Sequence, residues 1–186
     1  MSQPLILAST SPRRQEILKN LGVVFEIVSP PFEEIIDESL PAEIIVADLA
    51  FGKARSVLPQ YQHRTILAAD TVVAFEHRKL GKPKNKEELT SWLTMFSAKS
   101  CQVLTGHALF QNNRWLVEVY SADIQFAQLS ATDIQNYVND PEPDWIDKAG
   151  GFAVQGKASL FTSVQGQYST VLGLSEEFVK RVILNQ

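Results

Sequence analysis

The sequence predicts an α/β fold built around a mixed β-sheet. Apolar runs typical of short strands alternate with segments whose apolar residues recur at helical spacing, the order that βαβ units produce. Two longer β segments are separated only by Asn112 and Asn113, a turn that predicts an antiparallel hairpin, so the sheet should not be purely parallel. Since 186 residues can bury a sizeable core, we expect a single domain over residues 1–186.

In the first half of the chain, helix start and stop signals separate short apolar runs. Pro12 suits the first turn of a helix that Gly22 ends, and alternating residues after Gly22 indicate a strand. Ile45 and Leu49 are spaced for a second helix, and Leu89 begins the apolar face of a third. The predicted strands are residues 4–9, 23–29, 65–69 and 72–75, and the predicted helices are residues 11–21, 44–57 and 85–98.

The second half predicts the hairpin, two further helices and two short strands. Ser130 is a candidate N-cap with Asp133 at the third helical position, which predicts a helix as far as Val138. A last helix starts at Ser175, because the apolar residues that follow it recur at helical spacing. The predicted strands are residues 101–111, 114–129, 152–154 and 159–164.

Composition excludes several classes of protein. The 17 basic and 21 acidic side chains give a net charge of −4, which disfavours a nucleic-acid binder because such proteins usually carry a basic excess. The single cysteine, Cys101, excludes a disulfide framework and a thiolate metal cage, and it suits a reducing cytoplasm. No apolar run approaches the ~20 residues of a membrane span. We therefore expect a cytoplasmic protein with neither a nucleic-acid nor a membrane partner.

Residues 8–14, ASTSPRR, are a candidate anion-binding turn. A strand leads into the hydroxyls of Ser9, Thr10 and Ser11, and then into a helix whose first turn holds Arg13 and Arg14. These two guanidiniums oppose the positive end of the helix dipole, and a bound phosphate chain would reverse that disadvantage. A solvated turn with Ser11 as an ordinary N-cap stays open as the alternative.

Four charged residues are candidates for chemistry at a cleft. Asp70 follows an apolar strand, so we expect it at a sheet edge or cleft mouth, where a carboxylate could take a proton from water or hold Mg²⁺. Lys53, one turn after Leu49, and Lys82, in a Gly-Lys-Pro turn, are candidate cations, and Glu34 is a second candidate metal ligand. The alternatives are a local turn for Asp70, a snorkelling side chain for Lys53, a solvated loop for Lys82 and a surface charge for Glu34.

Residues 147–156, DKAGGFAVQG, are rich in glycine but match neither a P-loop nor a dinucleotide fingerprint. A Gly-Gly bend leading into a strand would let backbone groups and Gln155 approach a flat ligand closely. Hydrogen bonding to a nucleobase edge is one use of that geometry. A tight hairpin is the alternative.

Taken together and in this order, these stretches resemble the Maf family of nucleoside triphosphate pyrophosphatases. The resemblance runs from LILASTSPRRQEIL through PPFEE, GKA, AADTVV, GKP and LTGHAL to DKAGGFAVQG and VLGL. It implies hydrolysis of a nucleoside triphosphate between the α and β phosphates, with a divalent cation, Mg²⁺ or Mn²⁺. The implied fold, of the Maf/ITPase-like kind, is elongated and two-lobed, with a central mixed sheet and a deep cleft. The resemblance also implies a protein that is often a homodimer.

The resemblance also implies roles for particular residues. Asp70 would be the catalytic general base and, with Glu34, a metal ligand. Within the family, one group acts on dTTP and UTP and another acts on 7-methyl-GTP, and this chain matches the first group at the three positions that distinguish them. The implied residues are Ser9, Arg14, Lys53 and Lys82 for the phosphates, and Arg13, Thr71 and Gln155 for base selection.

Two positions depart from the family pattern. Gly52 stands where glutamate is usual, and we expect it to alter how Lys53 is presented. Phe152 stands where tyrosine is common, and we expect the missing hydroxyl to weaken base binding. Two other functions stay open: a 7-methyl-GTP pyrophosphatase, and a nucleotide-responsive regulator of cell division with little turnover.

Overall fold

A computed structural model of the protein describes residues 3–37, 39–140, 145–154 and 160–184. Over these residues the predicted α/β fold with a mixed sheet is confirmed. The strands are β1 (Leu5–Leu7), β2 (Phe25–Ile27), β3 (Ile66–Phe75), β4 (Arg78–Leu80), β5 (Ser100–Gln111), β6 (Arg114–Phe126) and β7 (Phe161–Gly166). The α-helices are α1 (Pro12–Asn20), α2 (Ala42–Val57), α3 (Lys86–Phe96), α4 (Ala131–Val138), α5 (Tyr168–Val171) and α6 (Glu176–Val179). Short 3₁₀ helices cover Leu58–Gln60 and Ala149–Gly151, and a π-helical turn, Lys180–Leu184, continues α6.

The strands form one seven-stranded sheet in the order β2-β1-β3-β5-β6-β7, with β4 paired to β3. The pairs β1–β2 and β1–β3 are parallel, whereas β3–β4 and β6–β7 are antiparallel. The two-residue turn between β5 and β6 has positive φ at Asn112 and Asn113, as the sequence predicts for a hairpin. Among the described residues, no helix is both long and apolar enough to cross a membrane.

The chain divides into two compact units. The first comprises Met1–Thr71, Leu104–Tyr120 and Ser169–Gln186, and the second comprises Val72–Val103 and Ser121–Tyr168. The single domain over residues 1–186, the two-lobed shape and the deep cleft stay predictions.

In the first unit, alternating side chains of β1 and β3 pack against helices on both faces of the sheet. Leu5, Leu7, Leu67 and Ala69 belong to a core cluster with residues of α1 and α6. Their neighbours Ile6, Ala8, Ile66 and Ala68 belong to a second cluster with residues of α2. This alternation is the two-residue period of a strand buried on both faces. The same alternation determines whether each later side chain of β3 faces α1 or α2.

The second unit is packed around phenylalanine rings. Phe96 of α3 lies 4.8–5.9 Å, centroid to centroid, from the rings of Phe75, Phe126 and Phe152. The helix caps in this unit follow local sequence: Asn85 accepts a hydrogen bond from the Glu88 N–H, and Ser130 and Asp133 form the predicted capping box.

The strand predicted at residues 152–154 is wrong. Gly150 and Gly151, with φ of 70° and 69°, form a 3₁₀ turn, and the residues that follow stay outside the sheet. The buried Ala153 N–H donates to the Tyr137 hydroxyl at 3.0 Å, so a side chain takes the place of a strand partner. Phe152 is buried in the aromatic cluster, and its ring serves the core of this unit.

Candidate active site

Asp70 lies within β3 and not at its end. The strand continues from Ile66 to Phe75, so the predicted strand end at residue 69 and a sheet-edge position for Asp70 are wrong, whereas its place at a cleft mouth stays a prediction. The reason is pairing: β3 lies between β1 and β5, and its later residues pair with β4. The Asp70 side chain is consequently buried, with the residue 7% exposed.

The parallel neighbour β1 nevertheless ends before it reaches the level of Asp70. Leu7, the last residue of β1, is the register partner of Leu67, so Asp70 lies three residues beyond the end of β1. Open α/β sheets bind ligands outside the carboxyl ends of their parallel strands. Asp70 therefore still lies where such sheets bind ligands, although the strand that ends there is β1 and not β3.

Asp70 and Thr71 leave opposite faces of β3. Asp70 continues the row of Ile66 and Ala68 toward α2, where it contacts Lys53. Thr71 continues the row of Leu67 and Ala69 toward α1, and its Oγ1 lies 3.5 Å from Nη2 of Arg14. The predicted site residues of the first unit therefore fall into two groups, one on each face.

The first group is charged and contains Asp70, Lys53 and Glu34. The Lys53 ammonium contacts the Asp70 carboxylate and also lies 2.6 Å from Oε1 of Glu34. The Lys53 side chain is 12% exposed, whereas the Glu34 side chain is 48% exposed. Lys53 is thus largely shielded from solvent beside two carboxylates, and neither a snorkelling lysine nor a solvated surface charge describes it.

The segment that carries Glu34 is seated on α2 at Gly52. A Cβ added at Gly52 would collide with Cε2 of Phe32, so only glycine leaves room for the Phe32 ring. Phe32 precedes Glu34 by two residues in PPFEE, and Lys53 follows Gly52 directly. The Phe32 ring therefore occupies the space that a side chain at position 52 would need. Next to this contact, Lys53 pairs with both Asp70 and Glu34.

The second group surrounds the guanidinium of Arg14. Its Nε donates to the Gly173 carbonyl at 2.8 Å and its Nη1 donates to Oγ of Ser9 at 3.0 Å. Burial lowers the pKa of Arg14 from its ordinary value, and the nearby charge of Arg13 acts in the same direction. The negative charges of Asp70 and Glu34 raise that pKa and so favour the charged form. Arg14 is therefore a partly buried cation.

The start of α1 does not behave as an ordinary capped helix. Ser11 occupies the N-cap position, but its side chain makes no capping hydrogen bond, and its Oγ is buried without a hydrogen-bond partner. The first turn holds no acidic residue. Ser9 Oγ accepts from the Ser11 N–H at 3.3 Å and from Arg14, which leaves the Ser9 proton available to an incoming acceptor. These features favour the anion-binding alternative over the plain N-cap.

The remaining predicted residues are Lys82, Arg13 and Gln155. Lys82 is exposed in the second unit, in a turn whose Gly81 carbonyl accepts from the Gly150 N–H at 2.8 Å. Two motifs predicted separately, GKP and KAGG, therefore meet within that unit. Arg13 lies next to Arg14 on the first turn of α1. Gln155 lies outside the described residues, so its part in base selection stays a prediction.

Sequence reasoning did not identify Thr105 as part of the site. Thr105 and His107 are fully buried polar residues among the buried apolar residues of the middle of β5. Buried hydroxyl and imidazole groups are nearly always hydrogen-bonded, so two polar residues inside an apolar run were the available signal. Thr105 Oγ1 lies 3.0 Å from Oγ1 of Thr71, and the Nε2 of His107 accepts from the Ser175 N–H at 2.9 Å.

The carboxylates suit one kind of metal site. Within the part of the chain that the structure describes, no group of three or more His, Cys, Asp or Glu side chains is arranged to hold a metal. Asp70 and Glu34 do converge on a single cation, the Lys53 ammonium. Two carboxylates fit Mg²⁺, which usually keeps several waters and is bound by one or two carboxylates together with substrate phosphates.

Comparison with known proteins gives a consistent result. A family model described as Maf-like protein matches residues 4–185. A dTTP/UTP pyrophosphatase of Desulforamulus reducens is 40% identical over 175 residues, covering 92% of this chain and 91% of that protein. Proteins of the same name from Symbiobacterium thermophilum and Bacillus anthracis are 42% and 40% identical over 174 and 171 residues, covering 92% and 91% of this chain and 88% of each relative. The family resemblance found in the sequence is confirmed: this chain belongs to the Maf family.

Proposed function

We propose that the protein hydrolyses dTTP and UTP to the nucleoside monophosphate and pyrophosphate. The observation that carries this proposal is the pair of groups around β3: the buried carboxylate of Asp70 faces α2, and Thr71 on the opposite face lies beside the guanidinium of Arg14 from α1. The names of the relatives, which share about 40% identity over some nine-tenths of this chain, supply the substrate class.

In the proposed reaction, Asp70 acts as a general base. Its carboxylate takes one proton from a water molecule, and the water oxygen forms a new bond to the α-phosphorus. The α–β anhydride bond breaks, and pyrophosphate leaves with the bonding electron pair. General-base assistance of this kind typically contributes ~10²–10⁴-fold to a rate.

The cations offset the charge of the triphosphate. Arg14 and the hydroxyl of Ser9 bind phosphate oxygens at the start of α1, where the free N–H groups of the first turn add to them. Lys53 and Lys82 are the other proposed phosphate ligands. Lys53 also holds Asp70 and Glu34 together, which supports a role in orienting the base. Stabilising the charge on the transferring phosphoryl group is usually the largest part of such catalysis.

A divalent cation, Mg²⁺ or Mn²⁺, belongs to the proposal as a cofactor. Asp70 and Glu34 would hold it, because their oxygens are hard ligands already gathered around one positive charge. When bound, the ion would polarise phosphoryl oxygens and stabilise negative charge on the leaving group.

Base selection is proposed to depend on Arg13, Thr71 and Gln155. An amide can both donate and accept hydrogen bonds, so Gln155 can pair with the carbonyl and N–H groups of uracil or thymine, whereas an ionised glutamate can only accept. We expect kcat/KM for dTTP and UTP to exceed that for 7-methyl-GTP by at least about tenfold, and Gln155→Glu to lower it for dTTP selectively. An equal loss on every substrate would indicate that Gln155 only closes a turn.

The experiment that tests the proposal is product analysis with purified protein, Mg²⁺ and dTTP. We expect dTMP and pyrophosphate, with orthophosphate formed only after a pyrophosphatase is added. Formation of dTDP as the first product would contradict the mechanism. A preference for 7-methyl-GTP would favour the other family group, and absence of turnover would favour a nucleotide-responsive regulator. A cytoplasmic location and a homodimer are further parts of the proposal that this assay does not address.

A further inference from the structure

The partly buried guanidinium of Arg14 is held by neutral oxygen atoms. Its hydrogen bonds to described residues go to the Gly173 carbonyl and to the hydroxyls of Ser9 and Thr71, and none goes to a carboxylate. An arginine in a structural ion pair would be oriented by its carboxylate partner through two parallel bonds. Arg14 must be oriented by other means.

The hydroxyls beside Arg14 form a chain whose direction is determined. Oγ1 of Thr105 donates to the carbonyl of Thr170 at 2.8 Å. A threonine hydroxyl has a single proton, so Thr105 has none left for Thr71. In the 3.0 Å contact between the two hydroxyls, Thr71 is therefore the donor and Thr105 the acceptor. Thr71 then presents its lone pairs to Nη2 of Arg14, 3.5 Å away.

The chain is anchored at both ends by backbone of one segment. Thr170 and Gly173 are three residues apart, and their carbonyls accept from Thr105 and from Nε of Arg14. Gly173 has φ of 98°, and a Cβ placed there would lie 3.2 Å from Oγ1 of Thr71 and 3.3 Å from Nε of Arg14. Glycine thus allows the segment to close against both side chains.

We propose that Thr105 is a positioning residue for Arg14, acting through Thr71. Because Thr105 uses its proton on Thr170, it turns the Thr71 hydroxyl so that Thr71 accepts from the guanidinium. The orientation of the charge that meets the phosphates is therefore determined from β5 and from the segment 170–173. This inference rests on the proposed function, since it assumes that Arg14 binds a phosphate chain.

The first test compares Thr105→Val with Thr105→Ser. Valine keeps the shape of threonine without the hydroxyl, whereas serine keeps the hydroxyl, so the pair separates hydrogen bonding from packing. Binding of inorganic tripolyphosphate, measured by calorimetry, is expected to weaken about tenfold in the valine variant and less than about threefold in the serine variant. Equal losses in the two variants, or no loss in the valine variant, would overturn the proposal.

A second test asks whether Thr105 acts through Arg14. In an Arg14→Lys background, which lacks the fork of N–H donors, Thr105→Val should weaken tripolyphosphate binding by less than about twofold. A full tenfold loss in that background would mean that Thr105 acts independently of Arg14. Should Thr105→Val not fold, Thr71→Val interrupts the same chain one link closer to Arg14. Loss of tripolyphosphate binding in this variant, but not in its Arg14→Lys background, would support the proposal, and no loss or an equal loss in both backgrounds would overturn it.

Tripolyphosphate also separates this inference from the proposed function. Wild-type protein that binds tripolyphosphate but hydrolyses no nucleotide would contradict the proposed reaction and leave the positioning of Arg14 measurable. Wild-type protein that does not bind tripolyphosphate would overturn the inference itself.

Discussion

The cations on the two faces of β3 have different partners. Toward α2, the Lys53 ammonium is balanced by the carboxylates of Asp70 and Glu34, so charge compensates charge. Toward α1, the guanidinium of Arg14 is surrounded by hydroxyls and a carbonyl. The first group carries one net negative charge and the second one net positive charge.

This difference explains how the two faces of one strand could attract the metal ion and the phosphate chain of the proposed substrate separately. A group with a net negative charge attracts a cation, and a group with a net positive charge attracts an anion, provided that neither is neutralised by the other. Asp70 and Thr71 are adjacent in sequence, and the two-residue period of the strand keeps their side chains on separate faces. A cation and a phosphate chain can therefore approach neighbouring positions without competing for the same ligands.

The largest expected effect comes from removing the charge of Asp70. Asp70→Asn is nearly isosteric and leaves Lys53 paired with Glu34, so the protein should fold, while kcat for dTTP should fall by about 10²–10⁴-fold. The matched control is Asp123→Asn, the same chemical change at an exposed position of β6. Steady-state kinetics and circular dichroism check both points. If Asp70→Asn retained more than about a tenth of the wild-type kcat, Asp70 would not be the base.

The next test concerns the contact between Gly52 and Phe32, which positions the segment that carries Glu34. Gly52→Ala should favour the helix by ~1 kcal/mol, yet its Cβ would collide with the Phe32 ring and displace the segment that carries Glu34. We expect kcat/KM to fall by about tenfold or more, because small misplacements of catalytic groups are costly.

Restoring the space should restore the activity. In the double variant Gly52→Ala/Phe32→Ala, the collision is absent, so kcat/KM should recover relative to Gly52→Ala alone. A loss that persists in full would mean that Gly52 matters for a reason other than the Phe32 ring. Titration with Mg²⁺ in each variant shows whether the change lies in metal dependence.

A further expected effect concerns stability, and not activity, on the face toward α6. Burial, together with the positive charge of Arg14, lowers the pKa of His107 to about 3. Between that value and the ordinary pKa of about 6.5, the unfolded chain binds the proton and the folded chain does not, so stability falls as the pH falls. From pH 7 to pH 5 the contribution is about 2 kcal/mol.

The measurement is chemical denaturation at several pH values. The matched variant is His107→Gln, whose amide oxygen can accept from the Ser175 N–H but does not titrate. Wild type should lose more stability than this variant between pH 7 and pH 5. Parallel curves for the two proteins would mean that His107 takes up its proton in the folded state as readily as in the unfolded chain.

Local sequence determined the features of this protein that depend on neighbouring residues. The capping box of Ser130 and Asp133 and the turn at Asn112-Asn113 form because their partners lie within a few residues. The segments that contain Ser9, Arg14, Lys53 and Asp70 were likewise identified as candidates from residue type and order. Helix α2 began two residues earlier than predicted, at Ala42, with Pro41 at its N-cap.

Tertiary structure alone decided how these residues are combined. Whether β3 stops before Asp70 depends on its neighbours β4 and β5, and residues 152–154 stay outside the sheet although their pattern predicts a strand, because the Tyr137 hydroxyl accepts from the Ala153 N–H. Arg14 meets Gly173 across 159 residues of sequence. Charge and hydrogen-bonding capacity belong to each residue, but the distance between two groups depends on the path of the whole chain. The sequence therefore determined which groups are present, and the fold determined which face of β3 each one occupies.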